Sequence, residues 1–268
     1  MALPAPRPGF GQVAVAQLLA ATSTYLERFG ADRTLLGASA TLDEYLRFNA
    51  AHGIDLPRIR AGAEQLRSAL GASASDGLGG TREVTREEIH QSGRVDLSGF
   101  FQSRHSVRQF SPEPVEPSLL EKAVRMAQKT PSVCNREAGR VYVVSDRKKA
   151  SELLQFQNGN RGFGDQADKL LVVTARLDCF LTVAERYQCW IDGGLFAMSL
   201  IYALHSLGVG SCCLNWSVEP AVDRAFKAAA GIPDDQAVIL LLAVGHLPER
   251  FRVAVSARRE LEDVMFQI

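Results

Sequence analysis

The sequence predicts an α+β fold, in which helices flank a central β-sheet and a small helical segment precedes it at the N-terminus. Short apolar runs suited to strands occur at residues 140–144, 169–174 and 238–244. Between them lie segments with apolar residues at helical spacing, and residues 191–207 are apolar nearly all round, as expected of a buried helix. Apolar residues make up 46% of the chain, which is ample for a packed core.

The N-terminal part of the chain predicts a leader of three helices. Apolar residues at helical spacing indicate a first helix that ends near Gly30. Thr41 and Glu44 have the spacing of a capping box, which predicts that a second helix starts there. Pro57 is typical of a first helical turn and predicts the start of a third helix. We therefore expect residues 1–70 to form a helical leader.

Residues 71–95 predict a linker followed by a short helix. The linker, residues 71–81, is rich in glycine, serine and alanine, a composition typical of flexible connections. Thr85 and Glu88 form a second capping-box pattern and indicate where the short helix starts.

Residues 96–268 contain every predicted strand and are expected to form the main domain. Asp192 is expected to cap the long apolar helix, and Gly208 is expected to end it. The residues after about 248 have little periodicity, which predicts an extended arm.

Charge and composition exclude several kinds of partner. Thirty basic and thirty acidic residues cancel, so no overall field attracts nucleic acid. The longest apolar run, residues 237–244, is far shorter than the about 20 residues of a membrane-spanning helix. We therefore expect a cytoplasmic protein with no membrane or nucleic-acid partner. The five cysteines lack the spacing of a metal site, which predicts reduced thiols and no bound metal.

Arg104, Ser106 and Arg108 alternate along a short stretch of the chain. In an extended backbone, such alternating residues point to one side. Two guanidiniums and a hydroxyl then form a row of donors suited to a phosphate or to the anionic edge of a ring. The alternative interpretation is a solvated strand edge that carries two surface arginines.

A second stretch, Thr-Pro-Ser-Val-Cys-Asn at residues 130–135, follows an amphipathic helix and precedes a strand. Together the two stretches resemble the nitroreductase family of FMN-dependent oxidoreductases, which has an Arg-x-Ser-x-Arg/Lys-x-Phe element, a helix, a Pro-Ser-x-x-Asn loop and a strand. Two further pieces match downstream, at residues 207–212 and 256–258. The resemblance implies a nitroreductase-like, FMN-binding domain over residues 96–268.

The resemblance assigns cofactor contacts to particular residues. Arg104, His105, Ser106 and Arg108 match the residues that bind the FMN phosphate and the pyrimidine edge of the flavin ring. Arg108 is also a candidate for stabilising the charge that the ring gains on reduction. The resemblance also implies a loop that reaches the flavin from the other subunit, with Pro131, Ser132, Val133 and Asn135. It implies a strand whose backbone meets flavin N5, with Cys213, Leu214 and Asn215. A C-terminal pair, Ser256 and Arg258, is expected to return to the phosphate, with Arg259 as the alternative to Arg258.

Two other stretches bear on the site. The resemblance places the Gly-rich residues 157–164 near the ring edge, with Asn160 and Arg161 as the expected contacts and a plain surface loop as the alternative. Residues 136–139 read Arg-Glu-Ala-Gly where the family has a segment like Gln-Pro-Trp, so the resemblance does not assign the residues of the substrate pocket. No catalytic side chain is expected, because the sequence lacks paired carboxylates, a nucleophile elbow and a metal-spaced histidine cluster.

The resemblance further implies a homodimer with FMN at each interface, in which the C-terminal arm of each subunit lies across its partner. It implies a ping-pong reaction in which NADH or NADPH reduces FMN at N5 and a small-molecule acceptor, a nitroaromatic or a quinone in vitro, takes the electrons. Two alternatives stay open. One is a relative that dehalogenates substrates or fragments the flavin, and the other is a flavin-binding accessory or regulatory protein without turnover.

The leader has a weaker resemblance of its own. Residues 8–11, 45–48 and 53–56 are similar to the leader of a bacterial nitroreductase-like subgroup found near polysaccharide biosynthesis genes. Members of that subgroup carry additional residues before this point, so we expect that the present chain begins inside a longer protein. No catalytic constellation is visible in the leader, which favours a helical cover.

Overall fold

A computed structural model describes residues 2–71 and 78–268 of the chain. The chain forms two compact units, Met1–Val95 and Asp96–Ile268. The described part of the first unit contains helices but no strand, and every described strand lies in the second unit. Residues 72–77, which belong to the predicted linker, lie outside the described residues.

The first unit is built on three long helices that share a small apolar core. Leu35, Leu42 and Tyr45 of the second helix are buried, as are Ile59 and Leu66 of the third. These positions recur at helical spacing, so each helix turns one face inward. A short fourth helix follows, and all of its residues are exposed. The helices are α1 (Gln12–Phe29), α2 (Arg33–Ala51), α3 (Pro57–Leu70) and α4 (Arg86–Ser92).

The start of α2 differs from the sequence prediction. The Asp32 carboxylate accepts hydrogen bonds from the backbone N–H groups of Thr34 and Leu35, at 2.9 and 3.1 Å, and the helix begins at the next residue after Asp32. Thr41 lies inside α2, where its hydroxyl donates to a carbonyl one turn earlier at 2.8 Å. The prediction of a capping box at Thr41 is therefore wrong, because an earlier carboxylate already satisfies two free N–H groups.

The second capping-box prediction is confirmed at the start of α4. The Thr85 hydroxyl accepts from the Glu88 N–H at 3.1 Å, and the Glu88 carboxylate accepts from the Thr85 N–H at 2.6 Å. Two free N–H groups of this short, exposed helix are satisfied in this way.

The second unit is a four-stranded antiparallel sheet with helices packed on it, which confirms the predicted fold class. The strand order is β1-β2-β4-β3, so β1 and β3 form opposite edges of the sheet. The strands are β1 (Gly139–Val144), β2 (Lys169–Arg176), β3 (Val209–Asn215) and β4 (Gln236–His246). The helices are α5 (Leu97–Ser103), α6 (Pro117–Ala127), α7 (Arg147–Leu154), α8 (Gln188–Ser206) and α9 (Pro220–Ala230).

The central strands β2 and β4 are buried on both faces, as their continuous apolar sequence predicts. Leu171 and Leu242 pair across the two strands and belong to the core shared with α6 and α8. Val172 and Leu241, the next pair, belong to the core shared with α7 and α9. Because side chains alternate along a strand, one sheet supplies two cores. Burial of each such leucine contributes about 1.5–3 kcal/mol.

The long buried helix, α8, begins earlier than predicted. Asp192 lies inside the helix and not at its cap, so the prediction for Asp192 is wrong. Its buried carboxylate accepts hydrogen bonds from the backbone N–H of Val133 at 3.1 Å and from the side chain of Gln188 at 2.7 Å. Gly208 follows the end of α8 with a φ of 73°, as predicted.

The chain after β4 is an extended arm, as predicted. Its described residues include one short 3₁₀ turn, Leu261–Asp263, and no longer element. Apolar side chains along it, including those of Val255, Phe266 and Ile268, are largely exposed. Within the described ranges, no helix has both the length and the apolar character needed to cross a membrane.

Candidate functional site

The segment of residues 104–110 lies beside the ends of β3 and β4. The Val107 N–H donates to the Ser211 carbonyl at 2.9 Å, and the Ser111 N–H donates to the His246 carbonyl at 2.9 Å. The Val107 side chain is buried in the domain. Since side chains alternate along an extended backbone, the flanking residues Ser106 and Arg108 point away from that core.

Arg104, His105, Ser106 and Arg108 line one cavity of about 930 Å³. The end of α8, strand β3 and the C-terminal arm form its other walls. Among the residues that these walls contribute are Met198, Ile201 and Tyr202 from α8, Cys213 from β3, and Ser256 and Arg258 from the arm. The structure therefore brings together predicted site residues from three distant parts of the sequence.

This cavity is cationic. Three arginines and a histidine line it, and none of its lining residues is acidic. Arg104, Arg108 and Arg258 form no ion pair with any residue in the described part of the chain. The Arg258 Nη1 donates to the Ser256 carbonyl at 2.7 Å, which leaves its charge uncompensated. Such a set of guanidiniums attracts an anion.

Arg108 is restrained by an aromatic ring. Its guanidinium carbon lies 5.8 Å from the ring centroid of Phe163, within the range of a cation–π interaction. The Phe163 ring is buried in the core shared with α7 and α9, so it gives Arg108 a fixed support.

His205 lies behind the segment and contributes no charge to the cavity near pH 7. Its Nε2 lies 2.9 Å from the Ser103 hydroxyl and 3.2 Å from the Phe100 carbonyl oxygen. Burial lowers the pKa of His205, and the charges of Arg104 and His105 lower it further. The hydrogen bond to Phe100 acts to raise this pKa, but the net shift is downward. Because a carbonyl only accepts, Nε2 carries the proton of the neutral ring.

The second group of predicted residues lies in the loop between α6 and β1. Pro131 and Ser132 line another cavity, of about 470 Å³, together with residues of β1 and the start of α8. The Ser132 hydroxyl accepts from the Glu137 N–H at 3.0 Å, which closes the loop on itself. The side chains of Val133 and Asn135 line neither of the two cavities.

The two cavities share no lining residue. One borders β1 and the other borders β3, which are opposite edges of the sheet. Three strand spacings separate these edges, or about 14 Å. Within one chain, the predicted cofactor residues therefore form two separate groups.

Residues 157–164 connect to the first cavity through backbone and ring contacts. The Gln157 side chain donates to the Asn215 carbonyl at 3.2 Å, and Phe163 supports Arg108. The Asn160 amide donates to the Leu154 carbonyl at 2.8 Å and also to the carbonyl of Gln157, so its donor is already occupied. The Arg161 guanidinium donates to Asn158 at 3.3 Å, and neither Asn160 nor Arg161 lines the cationic cavity.

Strand β3 presents alternate residues to the cavity and to the core. Cys213 lines the cavity, whereas Cys212 and Leu214 are buried in the core. Burial raises the pKa of the Cys212 thiol, which keeps it protonated and unreactive near pH 7. Leu214 can therefore meet a ligand in the cavity only through its backbone groups. Asn215 can do so through its backbone or through its exposed side chain.

The sequence predictions missed the α8 wall. Met198, Ile201 and Tyr202 recur at helical spacing and line the cavity with apolar surface. The signal available was a helix apolar on all sides, which does not say which face borders a cavity.

The comparison with protein families decides the identity of this fold. The model of the Nitroreductase family matches residues 101–246, which is more than half of the chain. The chain belongs to the nitroreductase family. The matched span includes the 104–110 segment, the 131–135 loop and all four strands, whereas the leader lies outside it.

Solved structures with the nitroreductase fold resemble this chain at low sequence identity. An FMN-dependent nitroreductase from Clostridium difficile is 22% identical, with a TM-score of 0.54, and the match covers 63% of this chain and 98% of that chain. A nitroreductase-type protein from Desulfovibrio desulfuricans, solved in complex with FMN, is 17% identical with a TM-score of 0.55 over 65% of this chain and 98% of that one. A protein of NADH dehydrogenase/NAD(P)H nitroreductase type from Parabacteroides distasonis is 18% identical with a TM-score of 0.56, over 65% and 98% of the two chains. A comparison with curated protein sequences finds no match.

Proposed function

We propose that this protein is an FMN-dependent NAD(P)H oxidoreductase that works as a homodimer. The observation that carries the proposal is the cationic cavity, which Arg104, Arg108 and Arg258 line without an acidic neighbour. Solved proteins of the same fold include an FMN-dependent nitroreductase and an FMN complex, which supports the choice of cofactor.

FMN suits this cavity in both charge and size. The phosphate of FMN is a dianion, and each guanidinium can offer it two parallel N–H donors. The volume of about 930 Å³ is near the upper end of the range for small-molecule sites, about 300–1,000 Å³. We infer that Arg104, His105 and Ser106 hold the phosphate and the pyrimidine edge, and that Ser256 and Arg258 close on the phosphate from the arm.

Arg108 has a second role in the proposal. The pyrimidine edge of a flavin gains negative charge on reduction, and a fixed cation there favours the reduced state. Phe163 restrains the Arg108 guanidinium, so little reorganisation is needed when that charge develops. The backbone of residues 213–215 is proposed to meet flavin N5. Asn160 and Arg161, which do not line the cavity in one chain, are proposed to lie just outside it, beside the ring edge.

When bound, FMN would supply the redox chemistry, which is hydride acceptance at N5 from NADH or NADPH and two-electron reduction of a small-molecule acceptor such as a quinone or a nitroaromatic, in a ping-pong order. The side chains of this protein bind and orient the cofactor and keep water from it, and none is proposed to act as a general acid or base. In the described part of the chain, no group of three or more potential ligands is placed to hold a metal ion.

The separation of the two groups of site residues supports the proposed homodimer. We infer that Pro131, Ser132, Val133 and Asn135 of one copy complete the cationic cavity of a second copy. Three surfaces of the second unit favour such pairing. Strand β1 has an unpaired edge, because only β2 pairs with it among the described strands. The α8 side chains of Trp190, Ile191 and Leu195 are about half exposed. The C-terminal arm also exposes apolar residues.

Steady-state turnover tests the proposed activity. Protein reconstituted with FMN is mixed with NADH or NADPH and a generic quinone, and nicotinamide oxidation is followed at several concentrations of both substrates. The proposal expects turnover with parallel double-reciprocal lines, the pattern of a ping-pong reaction. A protein that binds FMN stoichiometrically but oxidises neither nicotinamide would overturn the enzyme assignment and favour an accessory role.

A further inference from the structure

We propose that Arg136 is a positioning residue, whose ion pair with Glu185 holds the 131–137 loop in the shape that presents Ser132 and Asn135 to the flavin. The inference rests on the proposed function, because it concerns the half of the site that a second copy would use. It also gives a role to Arg136, the first residue of the 136–139 stretch that departs from the pattern of the family.

The backbone of this loop is strained. Cys134, Asn135 and Glu137 have φ angles of 50°, 54° and 49°. The left-handed region suits glycine, and among other residues asparagine tolerates it best. Three such residues within four positions persist only where surrounding contacts over-determine the conformation. The contacts that hold this loop are therefore expected to decide its shape.

Contacts from within the domain hold one side of the loop. The buried Asp192 carboxylate accepts from the Val133 N–H at 3.1 Å, and the Ser132 hydroxyl accepts from the Glu137 N–H at 3.0 Å. These two bonds fix the entry and the exit of the strained turn. The Arg140 guanidinium also donates to the Glu137 carbonyl at 2.7 Å.

Arg136 ties the loop to a segment that is distant in sequence. Its Nη1 donates to Glu185 Oε1 at 2.8 Å and to the Cys179 carbonyl at 2.9 Å. The second Glu185 oxygen, Oε2, accepts from the Leu181 N–H at 2.8 Å. One guanidinium nitrogen thus ties the loop to two points of the 177–187 segment, which connects β2 to α8.

The pair is sheltered enough to act as a fixed link. The side chains of Arg136 and Glu185 are only 25% and 21% exposed. The Leu181 N–H, together with Arg136, holds the pKa of Glu185 below its ordinary value, so the carboxylate stays charged at neutral pH. Arg136 lines the 470 Å³ cavity, and its Nη1 is already occupied by protein acceptors.

A double-mutant cycle on FMN affinity tests this role. FMN binding to the apoprotein is titrated by flavin fluorescence for wild type, Arg136→Ala, Glu185→Ala and the double variant. We expect each single variant to weaken FMN binding about tenfold and the double variant to be no weaker than either single one, because both changes remove the same contact. The stoichiometry of FMN per chain is expected to stay unchanged.

A matched control comes from the end of β2, next to this segment. Arg176 forms an ion pair with Asp178, two residues away, and its side chain makes no hydrogen bond to the 131–137 loop. Arg176→Ala removes that pair and is expected to leave FMN affinity at the wild-type value. Glu185→Gln keeps the side chain's size and an acceptor for Leu181, and is expected to fall between wild type and Glu185→Ala. It serves as the test variant if an alanine variant fails to fold.

Distinct results overturn this inference and the proposed function. Wild-type protein that takes up no FMN contradicts the proposed function itself. Wild-type FMN binding with unchanged affinity in both single variants contradicts the positioning role alone. So does a double variant whose loss equals the product of the two single losses, since Arg136 and Glu185 would then act independently.

Discussion

Gly210 of β3 and Gly245 of β4 face each other across the sheet, and the segment that carries Arg104 and Arg108 packs on this pair. A Cβ on Gly210 would lie 3.2 Å from a methyl of Val107, and a Cβ on Gly245 would lie 2.7 Å from the ring of Phe110. The missing side chains therefore make the space that seats the segment against the sheet.

Replacement of Gly245 is expected to disturb the cationic cavity, because the segment that lines the cavity packs on this glycine. In Gly245→Ala, the new methyl displaces the Phe110 ring, and we expect a loss of about 1–3 kcal/mol in the free energy of unfolding. FMN affinity is expected to fall with it, because the arginines belong to the same short segment. Denaturant unfolding and FMN titration measure the two effects.

A helix glycine provides the control for this change. A Cβ on Gly37 in α2 would meet its nearest atom at 3.4 Å, an ordinary contact, so Gly37→Ala is expected to stabilise the protein by up to about 1 kcal/mol. Equal FMN affinity for wild type and Gly245→Ala would show that the glycine pair does not seat the binding segment.

Removal of the two segment arginines tests the cofactor assignment. Hydrogen bonds to charged groups contribute about 1.5–3 kcal/mol each, so Arg104→Ala with Arg108→Ala is expected to weaken FMN binding by at least about a hundredfold. The exposed residues Arg58 and Arg224 lie outside the cavity and form no ion pair with a described residue, so their double alanine variant is the matched control. Unchanged affinity in the Arg104/Arg108 variant would rule out this placement of FMN.

A charge on the exposed face of α8 is expected to separate the proposed dimer. Ile191 and Leu195 are 52% and 47% exposed, one turn apart on the same helix face. Leu195→Glu places a carboxylate on that apolar surface, and we expect monomers in light scattering together with loss of bound FMN. Val84, which is 48% exposed in the first unit, supplies the control Val84→Glu. A monomeric wild type, or a Leu195→Glu dimer with full FMN content, would contradict the shared site.

Asp168 is expected to make the stability of the second unit depend on acid pH. It is buried, and it accepts hydrogen bonds from the Lys169 side chain at 2.6 Å and the Val115 N–H at 2.8 Å. Burial acts to raise the pKa of Asp168, but these two donors and the charge of Arg147 outweigh it, so the pKa lies below the ordinary value.

The sign of this pH dependence follows from the lowered pKa. Because the folded pKa lies below the unfolded value of about 3.9, the stabilisation is complete above that pH and is lost as the pH falls through the folded pKa. Asp168→Asn leaves Lys169 without its partner and is expected to lower the free energy of unfolding at pH 7 by about 3 kcal/mol. Denaturant unfolding at pH 7 and below pH 4 checks this, since the gap between the two proteins should narrow in acid.

An exposed pair is the control for Asp168. Asp55 forms an ion pair with Arg60 in which both side chains are more than half exposed, so Asp55→Asn is expected to change stability by less than about 1 kcal/mol. A pH-independent gap between wild type and Asp168→Asn would assign the effect to packing and not to charge.

Local patterns in the sequence predicted most of the elements. The apolar runs of β2 and β4 predicted central strands because residues buried on both faces of a sheet must be apolar continuously. The cavity lined by both Arg104 and Arg258 could be predicted only through the family resemblance, since the 153 residues between them carry no local signal of contact.

The two errors, at Thr41 and at Asp192, have different physical origins. Thr41 carries a valid capping pattern, yet Asp32 caps the helix because burial of Leu35 and the rest of one face extends α2 toward its N-terminus. Asp192 was assigned to its own helix end, but its carboxylate is turned toward Val133 of a distant loop. The Asp192 contact joins residues far apart in sequence, which spacing within one segment does not encode, whereas the Asp32 cap is local and competes with the pattern at Thr41.

The most direct test of the central claim is the visible absorbance spectrum of the purified protein, followed by identification and counting of the cofactor released on denaturation. The account predicts the bands of an oxidised flavin and release of FMN at about one molecule per chain, since each cationic cavity is proposed to hold one. A colourless protein that also fails to take up added FMN would contradict the cofactor assignment and, with it, the proposed oxidoreductase activity.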